Sequence, residues 1–148
     1  MNLIIREMEE SDFSDVSSLW QNELGNSSVT VESVAAVYTK MRRNDSYHTF
    51  VAVTGDAVVG VITAVEVIAF EYPAGYMKIN GLAVKREFQG MGIGRKLVLK
   101  VEDIARRKGV SRIGLATGFQ RKDAHAFYEH LGYVSGSYYY GKTMKCRE

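Results

Sequence analysis

Cysteine and proline are almost missing from this chain, and their scarcity excludes several classes of protein. The 148 residues contain one cysteine, Cys146, and one proline, Pro73. A single cysteine cannot form a disulfide within the chain, so a small disulfide-stabilised secreted domain is excluded and a reducing, cytoplasmic location is expected. There is no linker, internal repeat or low-complexity segment either. Nothing around Cys146 indicates a poised thiolate, and we predict that it takes no part in the chemistry.

An excess of charge and a long apolar run are also missing. The 19 basic and 17 acidic residues give a net charge of +2, a balance that argues against a nucleic-acid or membrane partner. The opening residues, MNLIIREMEESDF, become charged early, so we expect neither a signal peptide nor a membrane span there. The histidines His48, His125 and His130 have no metal-ligand spacing. We expect structural or surface roles for them, and no metal.

What the chain does contain is enough apolar sequence for one folded domain, which we assign to residues 1–148. Its hydrophobic residues, 46% of the total, fall into short β-branched runs and helical stripes. The predicted strands cover residues 2–6, 47–54, 57–70, 76–85 and 111–117, with one or two more in 133–145. The predicted helices cover residues 11–25, 31–44, 122–132 and a run from the glycine cluster to about 108. Pro73 is expected in a loop, and the order of elements indicates a mixed α/β fold.

The stretch REFQGMGIGRKLV places glycine at every second position, at Gly90, Gly92 and Gly94. Glycine is poor inside a helix, so bare backbone must serve a purpose where this helix begins. A dinucleotide-binding turn and a P-loop are excluded, because Arg95 stands where each motif requires glycine. A structural turn explains one glycine but not three. We predict a phosphate-binding helix N-terminus, which is flanked by four basic residues, Lys85, Arg86, Arg95 and Lys96.

With its flanks, this stretch resembles the acetyl-CoA signature of the GNAT N-acetyltransferases. That signature is an apolar strand end followed by Gln/Arg-x-x-Gly-x-Gly/Ala at the start of a helix. In LAVKREFQGMGIGRKLV, its fixed places are filled by Gln89, Gly92 and Gly94.

A second stretch, AHAFYEHLGY, resembles the other signature of that family. Tyr133 replaces the usual Phe, and Arg121 stands where Asn is common, so a frequent hydrogen bond to the cofactor is altered. The two motifs cover residues 82–133. The resemblance implies a single-domain GNAT-like α/β fold, with a mixed, mostly antiparallel central sheet of six or seven strands. About four helices would flank the sheet, and two strands would splay at the cofactor site.

The resemblance further implies that acetyl-CoA is a co-substrate. Its pantetheine arm would lie where strands 76–85 and 111–117 part, and its diphosphate on the N–H groups of residues 90–95. A bulge, with which Gly81 is compatible, would aim a backbone N–H near Leu82 at the thioester oxygen. The implied cofactor-binding residues are Leu82, Ala83, Val84, Gln89, Gly90, Met91, Gly92, Ile93, Gly94, Arg95, Thr117, Arg121, Ala124 and Phe127.

Two side chains are the predicted catalysts. The resemblance places Tyr128 near the cofactor sulfur, as the acid that protonates the departing thiolate. The alternative is a core aromatic, a role that Phe127 fits better. Strand 76–85 offers no carboxylate, so we predict Glu66 as the base, alone or through water, with a solvent-exposed edge position as the alternative. Glu71 is a weaker candidate. We expect direct transfer in a ternary complex.

The expected acceptor is a primary amine of a small molecule. Its pocket would be walled by residues 20–29, 70–76 and 135–140, where Trp20 and the SYYY stretch are aromatic. The alternatives are a protein or peptide acceptor, a non-catalytic acyl-CoA-binding sensor and a general nucleotide-phosphate binder. A homodimer is left open.

Overall fold

The computed structural model describes residues 2–146, which divide into two compact units. The first unit ends at Leu115 and holds the whole sheet and three α-helices. The second begins at Ala116 and holds one α-helix and the C-terminal stretch. The prediction of one domain over residues 1–148 stays a prediction.

One mixed sheet runs through the first unit. Its strands lie in chain order, antiparallel from the first to the fourth, and the fifth pairs in parallel with the fourth. Where we predicted six or seven strands, the described residues form five: β1 (Leu3–Glu7), β2 (Tyr47–Thr54), β3 (Ala57–Ala69), β4 (Tyr72–Val84) and β5 (Ile113–Leu115).

The strands predicted in residues 133–145 are missing from the described structure. Residues 133–146 contain no helix or strand, and their apolar side chains stay exposed, as at Val134 and Tyr140. A strand needs a partner and a buried face to offset the entropy of ordering it. The glycines at 136 and 141 weaken the strand tendency of the tyrosines between them.

The position predicted for Pro73 is also wrong. It is the second residue of β4 rather than a loop residue, because the β3–β4 hairpin continues as far as the pair Ala69 and Tyr72. Proline cannot donate to a ladder, and it is tolerated here because it lies at the start of its strand. The hairpin therefore extends beyond β2, whose pairing with β3 begins at Tyr47 and Val65.

Three helices of the first unit pack on the two faces of the sheet. They are α1 (Phe13–Glu23), α2 (Val31–Met41) and α3 (Ile93–Arg107). On one face, Val61 of β3 belongs to a buried cluster with Val16 and Leu19 of α1. On the other face, a Cβ built on Gly60 would lie 3.1 Å from Leu97 Cδ1 of α3. Alternation along β3 thus assigns α1 and α3 to opposite sides.

The second unit contains α4 (Lys122–His130). Tyr128 is its one buried residue, whereas Phe127 is half-buried. This reverses the expectation that Phe127 would be the core aromatic of this helix. Both rings nevertheless pack together, edge to face, with their centroids 5.1 Å apart.

Candidate active site

The glycine cluster forms the sharp turn that leads into α3. Gly90 and Gly92 have φ values of +79° and +82°, in the left-handed region where side chains are strained. A Cβ on either residue would meet nothing within 4 Å. The backbone path therefore explains these two glycines, and the space in front of them is open.

The N-terminus of α3 has no internal cap. Gly92 is its N-cap residue and supplies no side chain, and the first turn holds no acidic residue. An α-helix leaves its first N–H groups without partners inside the helix and carries positive partial charge at this end. Arg95 and Lys96 in the same turn are exposed and add two full positive charges. This combination suits an anion.

The second feature of the site is the outer edge of β4. β5 pairs with β4 only over Met77–Ile79, and no other described strand continues along that edge. The register with β3 shifts beside this point, because Thr63 pairs with Gly81 and Ala64 pairs with Ile79. Asn80 is therefore an extra residue, a bulge that bends the strand where its outer edge opens.

The predicted binding residues at the end of β4 are tied to the glycine turn. The Gln89 side chain donates a hydrogen bond from Nε2 to the Val84 carbonyl, over 2.9 Å. Leu82 and Val84 are half-buried, while Ala83 is buried in the cluster on the α1 side. Gln89, which fills a fixed place of the acetyl-CoA signature, thus holds the glycine turn against the backbone of β4.

Gly81, next to the bulge, lies against the indole ring of Trp20. A Cβ on Gly81 would be 2.5 Å from Cζ2 and 2.8 Å from Cη2 of Trp20, closer than real Cβ contacts. We expected Gly81 to suit a bulge and Trp20 to line a pocket, but not their contact. A glycine within a strand was the one sequence signal of such a close approach.

Glu66, the predicted base, is held by two basic side chains, those of His48 and Lys108. Its Oε2 atom lies 2.8 Å from His48 Nε2 and 2.9 Å from Lys108 Nζ. Burial opposes the charge on Glu66, but the hydrogen bonds from His48 and Lys108 outweigh it, and its pKa is lowered. Lys108 follows the last residue of α3, so the Glu66 carboxylate lies at the C-terminal end of this helix. Gly92 lies at the N-terminal end, and the 15-residue helix between them is about 22 Å long.

Tyr128, the predicted acid, lies within the second unit. Its side chain is 9% exposed, and burial raises its pKa to about 12, opposed in part by the charge of Arg121. The ring packs edge to face on Phe127 and Tyr133. A phenol with this pKa stays protonated throughout the neutral range and presents an O–H donor.

Four further predicted cofactor residues also belong to the second unit. Thr117 lies in the stretch that precedes α4, Arg121 is the exposed N-cap residue of this helix, and Ala124 and Phe127 are half-buried on it. His125 Nε2 lies 2.8 Å from the Gly118 carbonyl, which ties the helix to its preceding loop.

Residues 2–146 contain no cluster of three or more potential metal ligands among His, Cys, Asp and Glu.

A sequence model of the acetyltransferase (GNAT) family matches residues 5–133, most of the chain. The chain belongs to the GNAT family. No helix of the described part has the length and apolar character that a membrane crossing requires.

Curated relatives of this GNAT chain carry acetyltransferase names. N-acetyltransferase family 8 member 2 of Rattus norvegicus is 31% identical over 109 residues, which are 72% of this chain and 47% of that protein. Thialysine N-epsilon-acetyltransferase of Caenorhabditis elegans is 29% identical over 109 residues, 70% of this chain and 66% of that protein. The chain spans about half the length of most curated relatives it matches.

Solved structures share the fold over nearly the whole chain. A structure described as a transcriptional regulator from Bacillus halodurans C-125 has a TM-score of 0.87 and 25% identity, and covers 98% of this chain and 100% of its own. An aminoglycoside acetyltransferase from a soil metagenome, in complex with sisomicin, has a TM-score of 0.83 and 19% identity, with 97% of both chains covered. The second likeness is one of fold alone.

In this GNAT fold, the predicted site residues fall into three groups. The structure brings together those from Leu82 to Arg95, at the end of β4 and the start of α3. Those from Thr117 to Tyr128 lie in the second unit. Glu66 lies apart from the first group, at the far end of α3.

Proposed function

We propose that this GNAT chain transfers the acetyl group of acetyl-CoA to a primary amine of a small molecule. The observation that supports it most is the N-terminus of α3, which is uncapped, led by glycine and joined to the end of β4, whose outer edge is open, by residues 85–92. A diphosphate fits the first feature, and an extended arm with amide groups fits the second. One ligand that carries both groups in this order is a coenzyme A thioester.

In this proposal, the chain holds the coenzyme mainly with backbone groups. The N–H groups of residues 90–95 bind the diphosphate, and Arg95 and Lys96 add charge to the same turn. The outer edge of β4 from Leu82 to Val84 pairs with the arm as a neighbouring strand would. An N–H of the bulged stretch hydrogen-bonds to the carbonyl oxygen of the thioester, where negative charge develops during transfer. Bound acetyl-CoA supplies the activated acetyl group.

We infer that Tyr128 assists the departing sulfur as a hydrogen-bond donor. A thiol has a pKa of about 8.5, so full proton transfer from a phenol whose pKa burial raises to about 12 costs roughly 5 kcal/mol. A hydrogen bond from the protonated phenol stabilises the thiolate without that cost. The departing thiolate then takes a proton from water, or from Tyr128 where a nearby positive charge lowers the cost of that transfer.

Removal of a proton from the amine is assigned to water rather than to Glu66. A base must accept a proton near neutral pH, and the pKa of Glu66 is lowered by His48 and Lys108. Its carboxylate is already bound by both partners, at the opposite end of α3 from the proposed diphosphate site. The lowered pKa gives the predicted role of Glu66 as base no support.

The proposed acceptor class is supported by relatives rather than by a pocket. The names of two of them specify amine-bearing acceptors, a thialysine side chain and aminoglycosides. The tyrosines at 138–140 are exposed aromatic rings, which suit an aliphatic or cationic amine. A peptide acceptor is the alternative within the same reaction.

The test is a binding titration followed by a turnover screen. We expect acetyl-CoA to bind in calorimetry at micromolar concentration and to be displaced by CoA but not by a tenfold excess of ATP. Release of free thiol should then rise with one or more amines in a panel of polyamines, amino sugars, lysine analogues and peptides. Equal competition by ATP would indicate a general nucleotide-phosphate binder and contradict the proposal.

One second candidate is favoured by a specific likeness. The solved structure from Bacillus halodurans, at 25% identity and a TM-score of 0.87, is described as a transcriptional regulator. A module that binds acyl-CoA without turnover would use the same α3 N-terminus and would need no base. Tight acetyl-CoA binding without thiol release for any amine of the panel would favour this candidate.

A further inference from the structure

The contact between Trp20 and Gly81 is more specific than ordinary core packing. The edge of the six-membered ring of Trp20 occupies the position that a side chain at 81 would need, at 2.5 Å and 2.8 Å from the ideal Cβ. The ring therefore rests on the backbone of β4 itself. Because interiors are close-packed, any shift of this ring is transmitted to the strand.

The strand segment under the ring is the irregular one. Gly81 follows the bulge residue Asn80 and precedes Leu82, the first of the predicted coenzyme-binding residues. On its outer edge, β4 has lost its strand partner at this point, since pairing with β5 ends at Ile79. One side of this segment is therefore held by β3, and its face is held by Trp20.

Trp20 is carried by a helix that is fixed at several other points. Val16 and Leu19 of α1 are buried in the core cluster. Toward the end of the helix, a carboxylate oxygen of Glu23 accepts a hydrogen bond from the backbone N–H of Arg86, over 3.2 Å. The last turns of α1 thus contact β4 at Gly81 and the chain just beyond it at Arg86, on either side of Leu82 to Val84.

We propose that Trp20 is a positioning residue of the acetyl-transfer site. Its indole ring, accommodated by the missing side chain of Gly81, fixes the bulged stretch of β4 so that a backbone N–H points at the thioester carbonyl. This inference rests on the function proposed above and adds the device that aims the donor. It implies that Trp20 and Gly81 act as a matched pair, and that neither can be changed alone without moving the donor.

The first test uses ligands that differ only by the acetyl group. Acetyl-CoA and CoA share every contact except those with the acetyl group and the sulfur, so the change that a substitution makes in the ratio of their affinities in calorimetry reports on the aimed donor. We expect the wild type to bind acetyl-CoA about 3-fold to 10-fold more tightly than CoA, the value of one hydrogen bond. Trp20→Phe, which removes the two contacting ring atoms, should bring the ratio close to one and leave CoA affinity within twofold.

The paired substitution provides the rescue. Gly81→Ala alone should displace the ring and lower the ratio as Trp20→Phe does. In the double variant Trp20→Phe/Gly81→Ala, the methyl group fills the space that the smaller ring leaves, and the ratio should return to the wild-type value within the error of the measurement. Infrared spectra of bound 1-13C-acetyl-CoA should follow the same order, with the carbonyl band lowest in the wild type and in the double variant.

A structural control separates positioning from stability. Phe13 of α1 packs against the same cluster as Trp20, and Phe13→Leu should lower the melting temperature without changing the ratio or the carbonyl band. The proposal is overturned if Trp20→Phe and Gly81→Ala change only the melting temperature, or if the wild type binds both ligands equally. Failure of the wild type to bind acetyl-CoA at all would overturn the proposed function, and this inference with it.

Discussion

The two ends of α3 are built in opposite ways. At the C-terminal end, basic side chains are paired within the chain: Arg107 with Asp103 at 2.9 Å and Lys108 with Glu66 at 2.9 Å. At the N-terminal end, Gly92 supplies no cap, no acidic residue lies in the first turn, and two cations face solvent. The C-terminal turn is also closed by backbone hydrogen bonds, from the Gly109 N–H to the Arg106 carbonyl over 3.2 Å and from the Val110 N–H to the Ala105 carbonyl over 2.9 Å, whereas no side chain caps the N-terminal end.

We infer from this difference that the C-terminal end of α3 serves the stability of the fold and the N-terminal end serves ligand binding. A helix terminus costs little free energy when other groups of the chain hydrogen-bond to its end groups. Positively charged residues at the C-terminus, such as Lys108, also interact favourably with the helix dipole and stabilise the fold. A glycine N-cap in place of Ser, Thr, Asp or Asn makes a helix less stable by a few tenths of a kcal/mol, and a bound anion compensates for this loss. Charged residues at the two ends of α3 are therefore expected to respond differently to substitution.

The largest expected effect on acetyl-CoA affinity follows from adding a side chain at the uncapped N-terminal end of α3. Gly92→Leu should reduce acetyl-CoA affinity at least ~100-fold, because the side chain blocks the approach to the N–H groups. Gly109, beyond the other end of α3, has a φ of +74° and open space around it, and so matches Gly92 in strain. Gly109→Leu should destabilise to a similar extent and leave affinity unchanged in calorimetry. Equal losses of affinity in both variants would abolish the contrast between the two ends.

A smaller effect, on turnover rather than binding, is expected at Tyr128. Tyr128→Phe removes the hydroxyl and keeps the ring contacts with Phe127 and Tyr133, so the fold should persist. We expect kcat to fall about 10-fold to 100-fold and acetyl-CoA affinity to stay within twofold, since binding is assigned to the start of α3. Thiol release with the best amine of the panel measures the first and calorimetry the second. Unchanged kcat would remove Tyr128 from the reaction.

Charge reversal should sharpen the comparison at more modest cost. Lys96→Glu places a carboxylate in the first turn and should weaken acetyl-CoA binding about 10-fold at low salt, with a smaller effect at high salt. Arg106→Glu, an equally exposed position in the last turn, should change affinity less than twofold. Titrations at two ionic strengths measure both. A salt-independent loss for Lys96→Glu would show that packing rather than charge is responsible.

The smallest effect on binding, together with a clear effect on stability, is expected at the C-terminal end of α3, where Glu66 lies. Glu66→Gln removes the charge that His48 and Lys108 share and should lower the free energy of unfolding by about 1–3 kcal/mol, with acetyl-CoA affinity unchanged. Denaturant titrations of both proteins at pH 7 measure the difference. If Glu66→Gln instead abolishes turnover in a folded protein, Glu66 is the base after all.

The same pair of proteins gives a test by pH. The pKa of Glu66 is lowered in the folded state from its ordinary value of 4.5, so its ionised form stabilises the fold at any pH above that value. This contribution is lost as the pH falls through the folded pKa, whereas the neutral amide of the variant has no such charge to lose. The stability difference between the two proteins should therefore shrink below pH 4.5. A constant difference down to pH 3 would contradict the lowered pKa.

Much of the fold was predictable because it is recorded in local patterns. The apolar stripes of α1 to α4 and the β-branched runs of β2 and β3 have the periods of their elements, and β2 was predicted with its observed bounds, Tyr47–Thr54. The start of the strand that contains Pro73 was missed, because a hairpin can extend past its neighbours and no local signal records how far. The strands expected after residue 132 were wrong, because strand pairing depends on partners distant in sequence.

By itself, the sequence determined the glycine turn before α3, its basic flank and the family, since these features lie within a few positions of one another and do not depend on distant residues. The tertiary structure decided the roles of residues far apart in the chain. It placed Glu66 between His48 and Lys108 rather than in solvent, and it seated Trp20 on Gly81. The physical reason is that a pKa and a steric contact depend on which groups meet in space, and those groups here come from segments 18 to 61 positions apart.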